Sequence, residues 1–211
     1  MKTDALIDML ARGAGPAPRA LAARRLSTAV AAGLLISAAV AVAWLGAIPA
    51  QMFATAVPWT KMAYAASLAL AAAWLTARLA RPAAATHRPW RATAGVLLAM
   101  ALVGGASLNA ASADTRLDAL LGYSWSTCPW SVLALSLPAL AASLWALRGM
   151  APTRPRTAGF AAGLLAGSVG AFGYSLACPE ASPAFVAVWY TLGIGLTAGV
   201  GALLGPRVLR W

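Results

Sequence analysis

Residues 27–48 read STAVAAGLLISAAVAVAWLGAI, without a single Asp, Glu, Lys, Arg or His. A helix rises about 1.5 Å per residue, so about 20 apolar residues cross the roughly 30 Å hydrocarbon core of a bilayer. The run lacks the period of two that a barrel strand shows, which makes it a helix. It exceeds the 7–15 or so residues of a signal-peptide core and follows a 26-residue head. We read it as an uncleaved membrane helix that also targets the protein.

Five more uncharged apolar stretches follow, at 62–77, 92–113, 128–147, 157–177 and 184–204. The first of these is short and is expected to borrow Thr60 and Lys61, or Arg78, as snorkelling ends. The whole chain of 211 residues is 61% hydrophobic and 10% charged, against about 25% charged in an average soluble domain. So few charges cannot cover a soluble globule, and so many apolar residues exclude intrinsic disorder. The predicted fold is all-α: a polytopic integral membrane protein with six transmembrane helices. Residues 1–26 form a head and linker, and residues 27–211 form the bundle.

The charges set the expected topology. Lys2, Arg12, Arg19, Arg24 and Arg25 precede the first span. Arg78, Arg81, Arg88 and Arg91 lie between the second and third, and Arg148, Arg154 and Arg156 between the fourth and fifth. Arg207 and Arg210 follow the sixth, which leaves only Lys61 and Arg116 of the 16 Lys and Arg for the other connectors. Those connectors hold three of the five acids, Asp114, Asp118 and Glu180. Cytoplasmic loops collect Lys and Arg, so both termini are predicted to be cytoplasmic. The net charge of +11 is explained in the same way and does not point to nucleic acid, because the basic residues flank apolar runs.

The indoles fit this frame, with Trp44, Trp59, Trp125, Trp130 and Trp189 near outer ends and Trp74, Trp90, Trp145 and Trp211 near inner ends. Gly159, Gly163 and Gly167 recur every fourth residue on the fifth span. Gly195 with Gly199, and Gly201 with Gly205, do so on the sixth. Such spacing lets helix backbones approach closely, and we expect the contact within the bundle rather than at a dimer seam.

Little in the chain resembles catalytic machinery. No Asp, Glu, Lys, Arg or His falls inside the six stretches, and there is no GxxxxGK[ST] or HExxH. His87 is the only histidine, so neither a catalytic triad nor a typical zinc site can be assembled. The chain is not expected to be an enzyme or to carry a cofactor.

Two residues stand out, Cys128 in Trp125-Ser126-Thr127-Cys128-Pro129-Trp130 and Cys178 in Cys178-Pro179-Glu180. Both fall on the predicted outer side, Cys128 opening the fourth span with Pro129 as its first helical residue, Cys178 closing the fifth. In a bacterium that side is the oxidising periplasm. A helix N-terminus also favours thiol reactivity. Three readings stand: a structural disulfide or two unpaired buried thiols, a redox- or metal-responsive switch, and a thiol-oxidoreductase site. The last lacks the close CxxC pair such sites favour. No metal site is assured, although Cys128 and Cys178 are candidates for soft-metal capture, with Glu180 or Asp114 as assistants.

The head begins Met1-Lys2-Thr3-Asp4-Ala5-Leu6-Ile7-Asp8-Met9-Leu10. Thr3 suits an N-cap and Asp4 the first turn. Leu6, Met9 and Leu10 share a helix face with Ile7 beside them, and Asp4 and Asp8 share another. Gly13, Gly15, Pro16 and Pro18 would end the helix and form a linker. About ten residues are marginal as an isolated helix, so the apolar face needs a partner's groove or the membrane surface.

These features together resemble the NrsF family of membrane anti-sigma factors. The resemblance rests on Met1-Lys2-Thr3-Asp4 with Leu6 and Ile7, on Cys178-Pro179-Glu180 with Pro183-Ala184-Phe185, on Trp189-Tyr190-Thr191-Leu192-Gly193, and on the closing Leu209-Arg210-Trp211. It implies a protein of the bacterial inner membrane that holds an extracytoplasmic-function sigma factor through its cytoplasmic N-terminus. A periplasmic heavy-metal or redox signal would release that factor. Carried over residue by residue, the sigma-binding segment is Thr3, Asp4, Leu6, Ile7, Met9 and Leu10, and the sensing pair is Cys128 and Cys178. The partners implied are the sigma factor and the bilayer, without direct nucleic-acid contact. The competing readings are a small six-helix transporter, whose mark would be a charge inside the membrane, and a membrane thiol-redox protein.

Overall fold

An apolar run understates the helix it seeds, because a helix begun in hydrocarbon keeps its backbone bonded out into the interface. The computed structural model describes residues 3–13, 21–82, 84–150 and 152–210. It contains six helices long and apolar enough to cross a membrane. In chain order the elements are α1 (Thr3–Gly13), α2 (Leu21–Leu45), α3 (Ala56–Leu79), α4 (His87–Ala110), the short α5 (Arg116–Leu121), α6 (Cys128–Arg148), α7 (Pro155–Tyr174) and α8 (Pro183–Val208). Within α8, residues Val186–Tyr190 form a wider π turn. Among the described residues there is no strand.

All six expected spans are present, and their ends differ from the apolar runs. The second span begins at Ala56 rather than at residue 62, so Thr60 and Lys61 lie inside α3. The third begins at His87, which opens α4 instead of lying in a loop. The first reaches back at least to Leu21 and so includes Arg24 and Arg25. The fifth ends at Tyr174, short of residue 177. Thr3 is helical and is the first described residue of α1. Gly15, Pro16 and Pro18 of the expected linker, and Met1, Lys2 and Trp211, lie outside the described residues.

The core is organised around α7, which packs against α8, α6, α3 and α2. Its sequence explains the position. A Cβ added at Gly159 would strike the carbonyl of Gly201, and one at Gly163 the carbonyl of Thr197. On the facing helix, Gly201 abuts Gly159 and Gly205 abuts Pro155. The glycine stripe is therefore a backbone-to-backbone seam inside the bundle, as expected, and close dispersion contact replaces side chains there. Gly195 and Gly199 differ, since nothing lies within 4 Å of a Cβ built on either. Pro138 sits inside α6, which remains a single helix past it.

Alternation of the spans sorts the connections into two ends. At one end the segments after α2, α4 and α7 come together: Ile48 N–H donates to Leu176 O at 2.9 Å, and Trp189 Nε1 donates to Leu120 O at 2.9 Å. At the other end Arg25 of α2 reaches Gly149 after α6. Most indoles at both ends face outward, with Trp44, Trp59, Trp130, Trp145 and Trp74 exposed, as an interfacial belt requires.

Candidate functional site

The two cysteines come together at the end of the bundle opposite the basic connections. Cys128 is the first residue of α6, and Pro129 is the second rather than the first. A turn precedes it, in which the amide of Cys128 donates to Ser124 O at 2.8 Å. Cys178 does not close α7. The helix ends at Tyr174, and a turn through Ala177 delivers Cys178, whose amide donates to Tyr174 O at 3.0 Å. Pro179 then disfavours further helix. Both thiols are free, and both are buried, Cys128 at 0% and Cys178 at 1% exposure.

Glu180 ties the two cysteine-bearing segments to each other. Its Oε1 accepts from the amide of Tyr123 at 2.8 Å, the amide of Ser124 at 2.9 Å and Ser124 Oγ at 3.0 Å. A carboxylate that accepts three donors is strongly held. The approach depends on Gly122, whose φ of 58° is left-handed and whose absent Cβ would lie 2.5 Å from Glu180 Oε2. Glu180 is thus occupied by the chain's own backbone, not aimed at an open metal site. Asp114 lies in a separate exposed turn, Ala113–Thr115, and takes no part. Among the described residues no group of three or more His, Cys, Asp and Glu is placed to hold a metal ion. Cys128 and Cys178 stand as a pair of soft donors without a third.

Lys61 corrects the sequence reading. The sequence places it as a snorkelling end of the second span, and the spans as free of Asp, Glu, Lys, Arg and His. Instead Lys61 lies in the second turn of α3 at 1% exposure, and its Nζ donates to Cys178 O at 2.8 Å. The ammonium stands within electrostatic reach of Cys178, Glu180 and Cys128. A charge buried in a span needs partners, which makes this region the candidate site. A cavity of about 120 Å³ lined by Thr60, Lys61, Ala181 and Pro183 adjoins it.

Two tyrosines complete the lining. The rings of Tyr174 and Tyr190 lie 5.5 Å apart, and both stand close to the two thiols. The π turn in α8 sets Tyr190 at this position, and such turns recur at functional sites. Tyr190 is fully buried, and its hydroxyl stands beside the Cys178 thiol, with no other polar partner among the described residues. Neither tyrosine was singled out from sequence as part of the site, nor was Lys61. The available signal was polar residues gathered at span ends of one sign, which spacing alone could not assemble.

The expected sigma-binding residues lie apart, on α1. Leu6, Ile7, Met9 and Leu10 are all exposed, from 42% to 66%. Thr3 and Asp4 are exposed too. Asp8 is paired within the helix, accepting from Arg12 Nη2 at 2.6 Å. The helix presents an apolar face that nothing in the described protein covers.

The sequence profile of the family described as "Negative regulator of sigma F" matches residues 10–211. The chain is 40% identical over 214 residues to the anti-sigma-F factor NrsF of Caulobacter vibrioides (strain NA1000 / CB15N), covering all of both chains. It is 39% identical over 213 residues to the probable anti-sigma-F factor NrsF of Azospira oryzae (strain ATCC BAA-33 / DSM 13638 / PS), again over the full length of both. No solved structure gives a significant match. A full-length match at this identity, on a six-span frame with a buried thiol pair, means that the chain belongs to the NrsF family.

Proposed function

We propose that this protein is a multi-pass anti-sigma factor of the bacterial inner membrane with both termini in the cytoplasm. Its α1 captures an extracytoplasmic-function sigma factor, and a periplasmic signal at Cys128 and Cys178 releases it. The observation that carries the reading is the uncovered face of Leu6, Ile7, Met9 and Leu10, in a chain that matches anti-sigma-F relatives over its full length. A single short helix gains stability by laying such a face in a groove. Occupying that groove keeps the sigma factor from RNA polymerase. The protein itself binds no nucleic acid and performs no catalysis.

The thiol pair supports the sensing half. A soft divalent metal bridging Cys128 and Cys178 displaces two thiol protons. A hydroperoxide that couples them takes two electrons and the two thiol protons, its O–O bond breaks to give an alcohol and water, and the S–S bond forms. Either change draws the start of α6 toward the segment after α7. Release requires that the bundle have two packings and that the thiol state bias their balance. The transporter reading gains one feature from Lys61, a charge inside a span, but that charge is satisfied by Cys178 O. The thiol-redox reading predicts turnover of a partner's disulfide.

Co-purification of the full-length protein with each extracytoplasmic-function sigma factor of the same organism tests the proposal. Capture of one factor, lost when Leu6→Asp and Leu10→Asp are combined, is the expected result. Failure to capture any of them overturns the anti-sigma reading.

A further inference from the structure

A cavity of about 360 Å³ lies where the connection before α4 meets the one before α7, with Arg78, Arg81, Thr86, His87, Thr153 and Arg154 in its lining. Among the described residues no carboxylate pairs with these arginines. Among the described residues the only ion pair joins Asp8 to Arg12 on α1, and Glu180 is bonded at the opposite end of the bundle. Two long helices also begin here. Thr86 makes no side-chain cap bond to α4, nor does Arg154 to α7, so unpaired N–H groups add positive potential.

The depth of the cavity selects the ligand. Trp74 and Arg78 are four residues apart and share one outer face of α3. Trp90 follows His87 by three residues on α4 and packs on Phe160 of α7, with rings 5.9 Å apart. Indoles of this kind mark the boundary between hydrocarbon and headgroup. The arginines begin just beyond that boundary, where lipid phosphates lie. Guanidinium forks bind phosphate oxygens in pairs. The volume falls within the range of small-ligand pockets, about 300–1,000 Å³.

We infer that this cavity is a binding site for the phosphate headgroup of an anionic phospholipid, held by Arg78, Arg81 and Arg154 between the start of α4 and the start of α7. The lipid bridges two connections that otherwise repel each other, and so clamps that end of the bundle. The site rests on the helices crossing a bilayer and is independent of sigma-factor capture.

Full-length protein in micelles of neutral detergent provides the test. Phosphatidylglycerol, phosphatidylcholine or inorganic phosphate is titrated at constant ionic strength, and retained lipid and thermal midpoint are read by native mass spectrometry and thermal unfolding. Phosphatidylglycerol should be retained and should raise the midpoint, while phosphatidylcholine and inorganic phosphate should not. The triple variant Arg78→Gln, Arg81→Gln, Arg154→Gln should bind phosphatidylglycerol on the order of 100-fold more weakly. Its midpoint in phosphatidylcholine alone should be unchanged, which separates lost binding from lost folding. The control Arg91→Gln with Arg156→Gln removes exposed arginines outside the cavity lining and should retain the lipid. Equal retention in the triple variant and the wild type overturns the site. Equal losses in the triple variant and the control reduce it to a general charge effect. No retention by the wild type, or a full effect of inorganic phosphate, hands the cavity to another anion and overturns the lipid assignment.

Discussion

The ammonium of Lys61 on α3 donates to the carbonyl oxygen of Cys178 at 2.8 Å, so one buried cation holds the peptide that carries one of the two thiols. The contact joins positions 117 residues apart in sequence. Replacing Lys61 by Met keeps much of the volume and removes the donor. A buried carbonyl that loses its partner costs about 1–3 kcal/mol. At about 2–4 °C per kcal/mol for a chain of this size, the thermal midpoint should fall measurably. Cys178 should also react faster with a small maleimide, because its segment is no longer anchored. Unfolding curves and labelling rates identical to wild type would show that Lys61 does not hold this segment.

Glu180 allows a graded test of the same region. Its Oε1 receives three donors from Tyr123 and Ser124. Glu180→Gln preserves shape and one acceptor oxygen but converts charge-assisted bonds into neutral ones, at a cost of about 1 kcal/mol. Glu180→Ala leaves the donors empty in a buried setting and should cost about 3 kcal/mol. The order wild type, Gln, Ala should appear in thermal unfolding and in the proteolytic resistance of the Gly122–Ser124 turn. Equal behaviour of the Gln and Ala variants would mean that the carboxylate does not organise the turn.

The seam between α7 and α8 predicts a contrast between two glycines of similar spacing. A side chain at Gly163 meets the backbone of Thr197 and Ala198, which cannot move aside without separating the helices. Gly163→Leu should therefore prevent a monodisperse, folded protein from being recovered, as overpacking of well-fitted helices costs about 1–3 kcal/mol or more. Gly199→Ala meets open space, and should be neutral or stabilising by about 0.5–1 kcal/mol. Size-exclusion profiles and thermal midpoints of the two variants check both halves. A disruptive Gly199→Ala would reveal that this outer face is itself packed against a partner.

The six spans were legible because each carries a long apolar run, and the bundle-internal seam because Gly159, Gly163 and Gly167 repeat along one helix face. The ends were less legible. Thr60, Lys61 and His87 are polar, yet they continue helices whose backbones must stay bonded at the interface. The spacing of Gly195 and Gly199 matches that of Gly159 and Gly163, so their different surroundings depend on which way α8 is turned, a tertiary fact. Cys128 and Cys178 stood out because there are only two cysteines in the chain. The partners of the pair did not, since Lys61, Glu180, Tyr174 and Tyr190 reach it from separate helices and turns. Lys61 resembled a snorkelling end because sequence shows a distance from the interface but not the side on which a residue lies.

The cysteine pair separates a structural role from a sensing one. Both thiols are buried and neither is bonded, so Cys128→Ser with Cys178→Ser changes size little and leaves a small polar group at each site. Hydroxyls can use neighbours that are already present, including the hydroxyl of Tyr190 beside Cys178. The double variant should fold, with a stability within about 2 kcal/mol of wild type, and should still capture the sigma factor through α1. It should not release that factor when cadmium or a hydroperoxide is supplied, since neither a dithiolate nor a disulfide can form. Each single variant should fail in the same way, because both sulfurs are needed for either product. Transcription from a sigma-dependent reporter, read beside a pull-down of the bound factor, distinguishes the cases. Normal induction in the double variant would defeat thiol sensing and leave the pair as core packing. A protein that cannot be recovered folded would instead assign the thiols to stability, and a Cys128→Ala, Cys178→Ala variant would then decide whether their polarity or only their volume is required.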